Sequence, residues 1–253
     1  MILHICHTKT LSVLVVMLLG MVYCPSNILA QSIEKNTWHD FDYIKASNAW
    51  LTSDNVAGLQ ALPVANVSDA QLYFNKNNGK FVDYYQSGNS RTLGTNIESY
   101  YRLDSMIVFY GKVEYFNFEG KIMTGSAFID PRNEPINIVE TSDDVEGKKE
   151  QDFYHITGAV SARLLPQLSL GGKLDYKAAD YTKHRDLRHT NKLLDMTVTA
   201  GGVYILNKYL TIGANYRYDR RVEGLEFATY GTTDRQYETL IDYGSFFGEK
   251  EVF

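Results

Sequence analysis

The segment from Phe153 to Val222 constrains the chain most. Four successive stretches in it alternate apolar and polar residues with a period of two, which only extended strands place on opposite faces. In the first stretch Tyr154, Ile156, Val160, Ala162 and Leu164 oppose His155, Thr157, Ser161 and Arg163. In the second, Leu168, Leu170, Leu174 and Tyr176 oppose Ser169, Lys173, Asp175 and Lys177. In the third, Leu194, Met196, Val198, Ala200, Gly202, Tyr204 and Leu206 face away from Asp195, Thr197, Thr199 and Gly201. The fourth sets Leu210, Ile212, Ala214, Tyr216 and Tyr218 against Thr211, Asn215, Arg217 and Asp219.

Length separates this pattern from an ordinary half-buried sheet. Each stretch runs for about 12 residues, whereas strands of soluble proteins stop at ~5–6 and a tilted strand crossing a bilayer needs roughly 9–11. Outer-membrane barrels also alternate apolar-out with polar-in and carry aromatic girdles near both interfaces. Tyr154, Tyr176, Tyr204, Tyr216 and Tyr218 stand towards the ends of the apolar faces. Leu165-Pro166-Gln167 and Asn207-Lys208 read as tight turns, and Tyr181 to Lys192 as a longer charged loop, an asymmetry typical of barrels. The expected fold is therefore all-β, an antiparallel transmembrane β-barrel.

In chain order, residues 1–30 read as a secretory signal peptide, with Lys9 ahead of the apolar run Leu11–Tyr23 and Ile28-Leu29-Ala30 offering a cut before Gln31. No stretch reaches the ~20 apolar residues of a spanning helix, so insertion would be by strands after export to the outer membrane. Residues 31–68 lack alternation and read as a plug-like segment. Its Ala46–Trp50 and Val56–Leu62 suit short helical turns closed by Pro63. Residues 69–222 hold the expected barrel strands. Ala70–Phe74 and Phe81–Tyr85 flank the hairpin signal Asn78-Gly79. Thr95–Leu103 sets Ile97, Ser99, Tyr101 and Leu103 against Asn96, Glu98, Tyr100 and Arg102, then turns at Asp104-Ser105 into Ile107, Phe109, Val113 and Tyr115, with Lys112 and Glu114 inward. Lys121–Ile129 suits either an extension of this strand or a separate one, and Asp130–Gln151 a loop. The tight turns at residues 78–79, 104–105, 166–167 and 207–208 then all fall on one side. The count comes to about eight strands, with residues 223–253 as loop or continuation. The irregular first pair and the loss of alternation after Val222 favour the N-terminal part of a larger barrel over a closed eight-stranded one.

Two resemblances accompany this reading. Asn55-Val56-Ala57-Gly58-Leu59 resembles the element near the start of fatty-acid-transporter-type outer-membrane barrels, Val56 standing where those barrels carry proline. The block Asp180-Tyr181 to Asn191, with Gly201-Gly202-Val203-Tyr204 and Val222-Glu223-Gly224-Leu225-Glu226-Phe227, is similar to an uncharacterised family of Bacteroides-type outer-membrane barrels, from about Asn48 to the C-terminus. These resemblances imply an outer-membrane location and a larger barrel. They supply no activity.

A net charge of −5 gives no basic footprint for nucleic acid. Both cysteines, Cys6 and Cys24, lie in the leader, which leaves no thiol chemistry or disulfide for the mature chain. The inward charges Glu98, Lys112, Glu114, Arg163, Lys173, Asp175, Asp195, Arg217 and Asp219 are candidates to line a solute path, with a salt-bridged, filled lumen as the alternative. Asn55, Ala57, Gly58 and Leu59 are the candidate plug motif. His184, Asp186 and His189 match no standard metal spacing, and His155, Ser161 and Asp195 lie in one hairpin region without a nucleophile motif. The expectation is therefore a non-enzymatic barrel without metal or cofactor, in contact with outer-membrane lipid, that passes or takes up a small solute. Its alternatives are a structural or surface-interaction barrel and, behind that, a barrel-embedded hydrolase.

Overall fold

A computed structural model describes residues 40–142, 144–231 and 234–253. The expected signal peptide, its cut, and residues 31–39 of the plug-like segment lie outside the described residues. The chain begins with two short helices, α1 (Phe41–Ala46) and α2 (Ala49–Thr52), and a 3₁₀ segment over Val56–Ala61. Strands follow as β1 (Asn66–Asn78), β2 (Asn89–Arg102), β3 (Ile107–Met123), β4 (Gly125–Ser126), β5 (Asn137–Glu140), β6 (Gly147–Leu165), β7 (Leu168–Lys183), β8 (Arg188–Ile205), β9 (Thr211–Ala228), β10 (Glu238–Asp242) and β11 (Gly248–Val252). The fold is all-β and antiparallel. A seven-stranded sheet runs β1-β2-β3-β6-β7-β8-β9, and a four-stranded one runs β11-β10-β5-β4. Among the described residues no helix is long and apolar enough to cross a membrane.

The large sheet is a meander that follows chain order, interrupted only by the insert between β3 and β6. Its tight turns are built by Asx geometry. Asp104 Oδ1 accepts from the amides of Met106 and Ile107 at 2.7 and 2.8 Å, and Asn207 Oδ1 from those of Tyr209 and Leu210 at 2.8 and 3.0 Å. Several expectations are corrected here. Phe81–Tyr85 is not a strand: β1 pairs directly with β2, with Asn78 opposite Asn89, and residues 79–88 bulge out as a loop. Asn78-Gly79 therefore ends a strand, and at the opposite end of the sheet from the turns at 104–105, 166–167 and 207–208. The wall has seven strands rather than eight, and begins at Asn66 within the segment expected to be plug.

The charged stretches read as loops are also largely strand. β7 and β8 run to Lys183 and from Arg188, leaving only residues 184–187 between them. Within Asp130–Gln151 lie β5 and the start of β6. β9 continues to Ala228, and residues beyond it return as β10, which pairs with β5, and β11, which pairs with β10, rather than extending the wall. Met123 ends β3, so Lys121–Ile129 divides between its end and β4.

Apart from register shifts at Gly120–Met123 in β3 and Arg163–Leu165 in β6, the pairing preserves the alternation, so each face of the large sheet keeps its character along the main ladder. One cross-strand row reads Glu98, Lys112, Thr157, Asp175, Thr197, Asp219. This face is covered at its turn end by residues 41–62, where Ile44, Leu51, Val56, Leu59 and Leu62 form the apolar core with Tyr100, Val108 and Ala159. The other face is bare. Ile156 remains 52% exposed, Leu174 48% and Val198 41%, although all three lie in the middle of strands.

The bare apolar belt keeps a similar height from strand to strand. It spans Leu93–Leu103 in β2, Ile107–Tyr115 in β3, Tyr154–Leu164 in β6, Leu168–Ala178 in β7, Leu194–Tyr204 in β8 and Ile212–Val222 in β9, broken there by Arg220. Hydroxyls within it are satisfied internally: Ser68 Oγ bonds Ser99 Oγ at 2.7 Å, and Thr95 Oγ1 donates to the Gln71 carbonyl at 3.0 Å. Beyond the belt the same face turns ionic, with Glu119 between Arg91 at 2.8 Å and Lys148 at 3.6 Å, and Glu150 holding Lys148 and His184. Tyr115 marks the boundary. Its ring lies 5.1 Å from that of Tyr154, and its hydroxyl donates to Asp152 at 2.8 Å.

Among the described residues β1 pairs only with β2 and β9 only with β8, so the large sheet does not close. As the first and seventh members of an antiparallel meander, β1 and β9 run in the same direction. They could not join each other antiparallel.

Candidate functional site

The covered face holds three layers, the lowest being the seat of residues 41–62. Asn55 caps the 3₁₀ segment, its Oδ1 accepting from the Ala57 amide at 3.1 Å, while its Nδ2 donates to the carbonyls of Gly202 at 2.9 Å and Ala214 at 3.1 Å. Glycines in the wall make room for this contact. A Cβ on Gly171 would stand 2.8 Å from the Ala57 nitrogen, and one on Gly201 2.4 Å from Asn55 Oδ1. Gly58 faces the opposite constraint, since a Cβ there would lie 2.3 Å from the Trp50 carbonyl oxygen. Gln60 Nε2 donates to the carbonyls of Met106 and Ser161, and Arg102 returns hydrogen bonds to those of Gln60 and Leu62. The expected motif Asn55, Ala57, Gly58 and Leu59 thus lies within this seat, with Gln60 and Leu62 adding contacts to the wall beside it. Asn55→Ala removes a cap and two wall hydrogen bonds at about 1 kcal/mol each, so it should loosen the seat by about 2–3 kcal/mol. Hydrogen exchange of residues 56–61 should rise accordingly.

Above the seat lies the charged layer, which gathers most of the expected lining residues but not all. Glu98 Oε1 is held by Lys45 of α1 at 2.6 Å and by the Tyr110 hydroxyl at 2.8 Å, so plug and wall share an ion pair. Lys112 pairs with Glu114 at 2.8 Å, and His155 bridges Glu114 at 3.4 Å and Asp175 at 3.0 Å. Asp175 also accepts from Thr157 at 2.9 Å. Asp195 lies 3.7 Å from Lys177 and 3.8 Å from Arg221, and Asp219 takes Arg217 at 2.8 Å and Thr197 at 2.6 Å. Arg163 and Lys173 stand apart. Arg163 is exposed at the turn end, and Lys173 lines a cavity of about 140 Å³ between α2 and the wall. Sequence reasoning missed Lys45, His155 as a bridge, and Arg221.

The third layer was not expected at all. Beyond the belt, the insert of β4 and β5 rests on the covered face through buried polar contacts. Glu140 of β5 reaches Lys183 at 2.8 Å and Lys149 at 3.8 Å, and all three side chains are almost completely buried. Lys149 also donates to the Ser126 carbonyl at 2.8 Å, and Asn191 to that of Ala127 at 2.9 Å. Glu223 accepts from the Ile129 amide at 3.0 Å and from Asn191 at 2.6 Å.

His189 lies under this insert, only 1% exposed. Its Nδ1 bonds Asn191 Oδ1 at 2.8 Å, and its Nε2 has no partner among the described residues. Burial, with Lys149 and Lys183 beside it, drives its pKa down to about 3. A folded value below the unfolded ~6.5 means the unfolded state binds the extra proton. The stability is therefore complete above pH 6.5 and declines as pH falls from there towards 3. Taking the insert from pH 7 to pH 5 should cost about 2 kcal/mol. Protection factors of residues 124–142 should fall over that range, and much less in His189→Gln.

The histidines expected in a loop are not brought together. His184 pairs with Glu150, Asp186 accepts from the amides of Tyr230 and Gly231, and His189 sits within β8. No group of three or more such ligands forms among the described residues. Ser161 is occupied by the plug, donating to the Ala57 carbonyl at 3.2 Å, while His155 and Asp195 have the partners given above. They do not form a relay.

Comparison with known proteins adds one match. A model described as a family of unknown function, DUF6850, matches residues 56–250, more than half of the chain. No curated protein and no solved structure matches it.

Proposed function

We propose that this chain, which belongs to the DUF6850 family of unknown function, is a plugged outer-membrane β-barrel protein that passes or takes up a small solute. The bare belt carries this reading. About 11 residues at ~3.3 Å each, tilted by ~40°, rise about 25 Å, the height of the apolar band of outer-membrane barrels. In water, an apolar face of this extent would be a liability. Against lipid it is the required surface, and the ionic rim beyond it lies where head groups begin.

Lipid also sets a condition on the edges. Each unpaired backbone group of β1 or β9 in hydrocarbon would cost several kcal/mol. Since these strands run the same way, antiparallel closure needs an odd number of additional strands. A second copy inserted in the same sense would add seven, yet would meet the first with parallel seams. On this reading the wall is part of a larger barrel, completed by strands outside the seven-stranded sheet.

Transport fits a polar layer set between a plug and an insert. The structural alternative is favoured by the pairing of most of those charges, which suits a filled lumen. Single-channel recording of the complete protein in planar bilayers separates the two. The transport reading expects unitary current steps that grow when Gly171→Val pushes residues 55–59 from their seat. A silent bilayer with both proteins would favour the structural role.

A further inference from the structure

Directly above the charged layer, at the end of the sheet that carries the 79–88 loop, the covered face holds a cavity of about 590 Å³, within the range of small-molecule sites. Its floor is Phe116 and Phe118 of β3, Gln151 of β6 and Tyr181 of β7, and the 79–88 loop forms a wall. None of its lining residues is charged, although 22% of the chain is Asp, Glu, Lys or Arg. Aromatic rings alternate there with amides and hydroxyls. Tyr85 also lines the cavity with its ring, while its hydroxyl is buried beside Asp83 and Arg132. At the rim, Phe81 presents a fully exposed ring.

From this lining we infer that the cavity is a binding site for a neutral carbohydrate. This rests on the outer-membrane reading and gives the class of its solute. A charged ligand would find no counter-charge among the lining residues. A purely apolar one would strand polar groups of the lining, the amide of Gln151 among them, at the cost of an unmade hydrogen bond. A sugar ring presents both surfaces the cavity needs: a C–H face to lie against Phe116 or Phe118, and a hydroxyl edge for the amides.

The test uses the complete protein in vesicles of phosphatidylethanolamine and phosphatidylglycerol, with protease protection as the check on insertion. Hexasaccharides of glucose, mannose and xylose are titrated by calorimetry, with a galacturonic acid hexasaccharide and decanoate as charged and apolar counterparts. At least one neutral hexasaccharide should bind saturably, uncompeted by either counterpart, and Phe118→Ala and Gln151→Ala should each weaken it about tenfold. Absence of saturable neutral binding, competition by decanoate, or unchanged affinity in both variants would overturn the assignment. Insertion without binding overturns this inference alone. Failure to insert overturns the membrane reading and this inference with it.

Discussion

Glu140→Gln should release the insert from the wall while leaving the seven-stranded sheet intact. The side chain is almost completely buried, with Lys183 at 2.8 Å and Lys149 at 3.8 Å, and among the described residues no other carboxylate pairs with either lysine. Glutamine keeps the shape and removes the charge, so two buried ammonium groups lose their counter-ion. Burial already pushes Lys149 down to about 8, with Glu140 opposing that fall. Removing one partner of a buried pair costs about 3–5 kcal/mol. That is enough to undock β4 and β5 and, through the β5–β10 pairing, to loosen β10 and β11. Limited proteolysis should cut within residues 124–142 at rates well above those of the unmodified protein. A variant that also carries Lys149→Met and Lys183→Met should recover much of the protection, because no uncompensated charge remains.

Val198→Arg should impair folding into bilayers by about 2–4 kcal/mol, the cost of a cation on the lipid face near the midplane. Val198 lies at the centre of the Leu194–Tyr204 belt, opposite Leu174 of β7 and Tyr218 of β9. Ile212 is also on the bare face but stands beside the 207–210 turn, at the edge of the belt. Ile212→Arg should therefore cost only ~0–1 kcal/mol. Asn215→Arg, exposed on the covered face, should cost as little. Thr199 points to that face too, but it is only 2% exposed, so an arginine there would fail by crowding rather than by facing lipid. Urea titrations of vesicle-inserted protein give the ranking. Equal losses in Val198→Arg, Ile212→Arg and Asn215→Arg would contradict the assigned depth and facing.

Facing was legible in the sequence wherever the period of two was unbroken. Every residue assigned inward between Asn96 and Asp219 lies on the covered face, because a strand leaves no intermediate orientation. Strand length was underestimated where charge density rose. Lys149, Tyr181, Lys183 and His189 read as loop residues, yet they continue the ladder because the insert supplies their partners. Those partners lie far along the chain, as in Glu140 to Lys183, and periodicity does not report such pairs. Phe81–Tyr85 failed for the opposite reason. The Asn-Gly signal marks where β1 ends, but the apolar residues beyond it line a loop cavity. Asn55 and Gly58 were visible as a motif. Their seat was visible only as glycines at inward positions of neighbouring strands, Gly171 and Gly201, where a wall lined by side chains would not need them.

The measurement that bears most directly on the membrane reading is site-by-site quenching in a chain whose Cys6 and Cys24 are replaced by serine, carrying single cysteine labels along β7 and β8. Labels at Leu174, Met196 and Val198 should be quenched by lipids brominated on their acyl chains and shielded from aqueous iodide. Labels at Lys177 and Asp195 should show the reverse. A two-residue oscillation of this kind is what lipid against the bare face predicts. Uniform access of iodide to all five positions would contradict it.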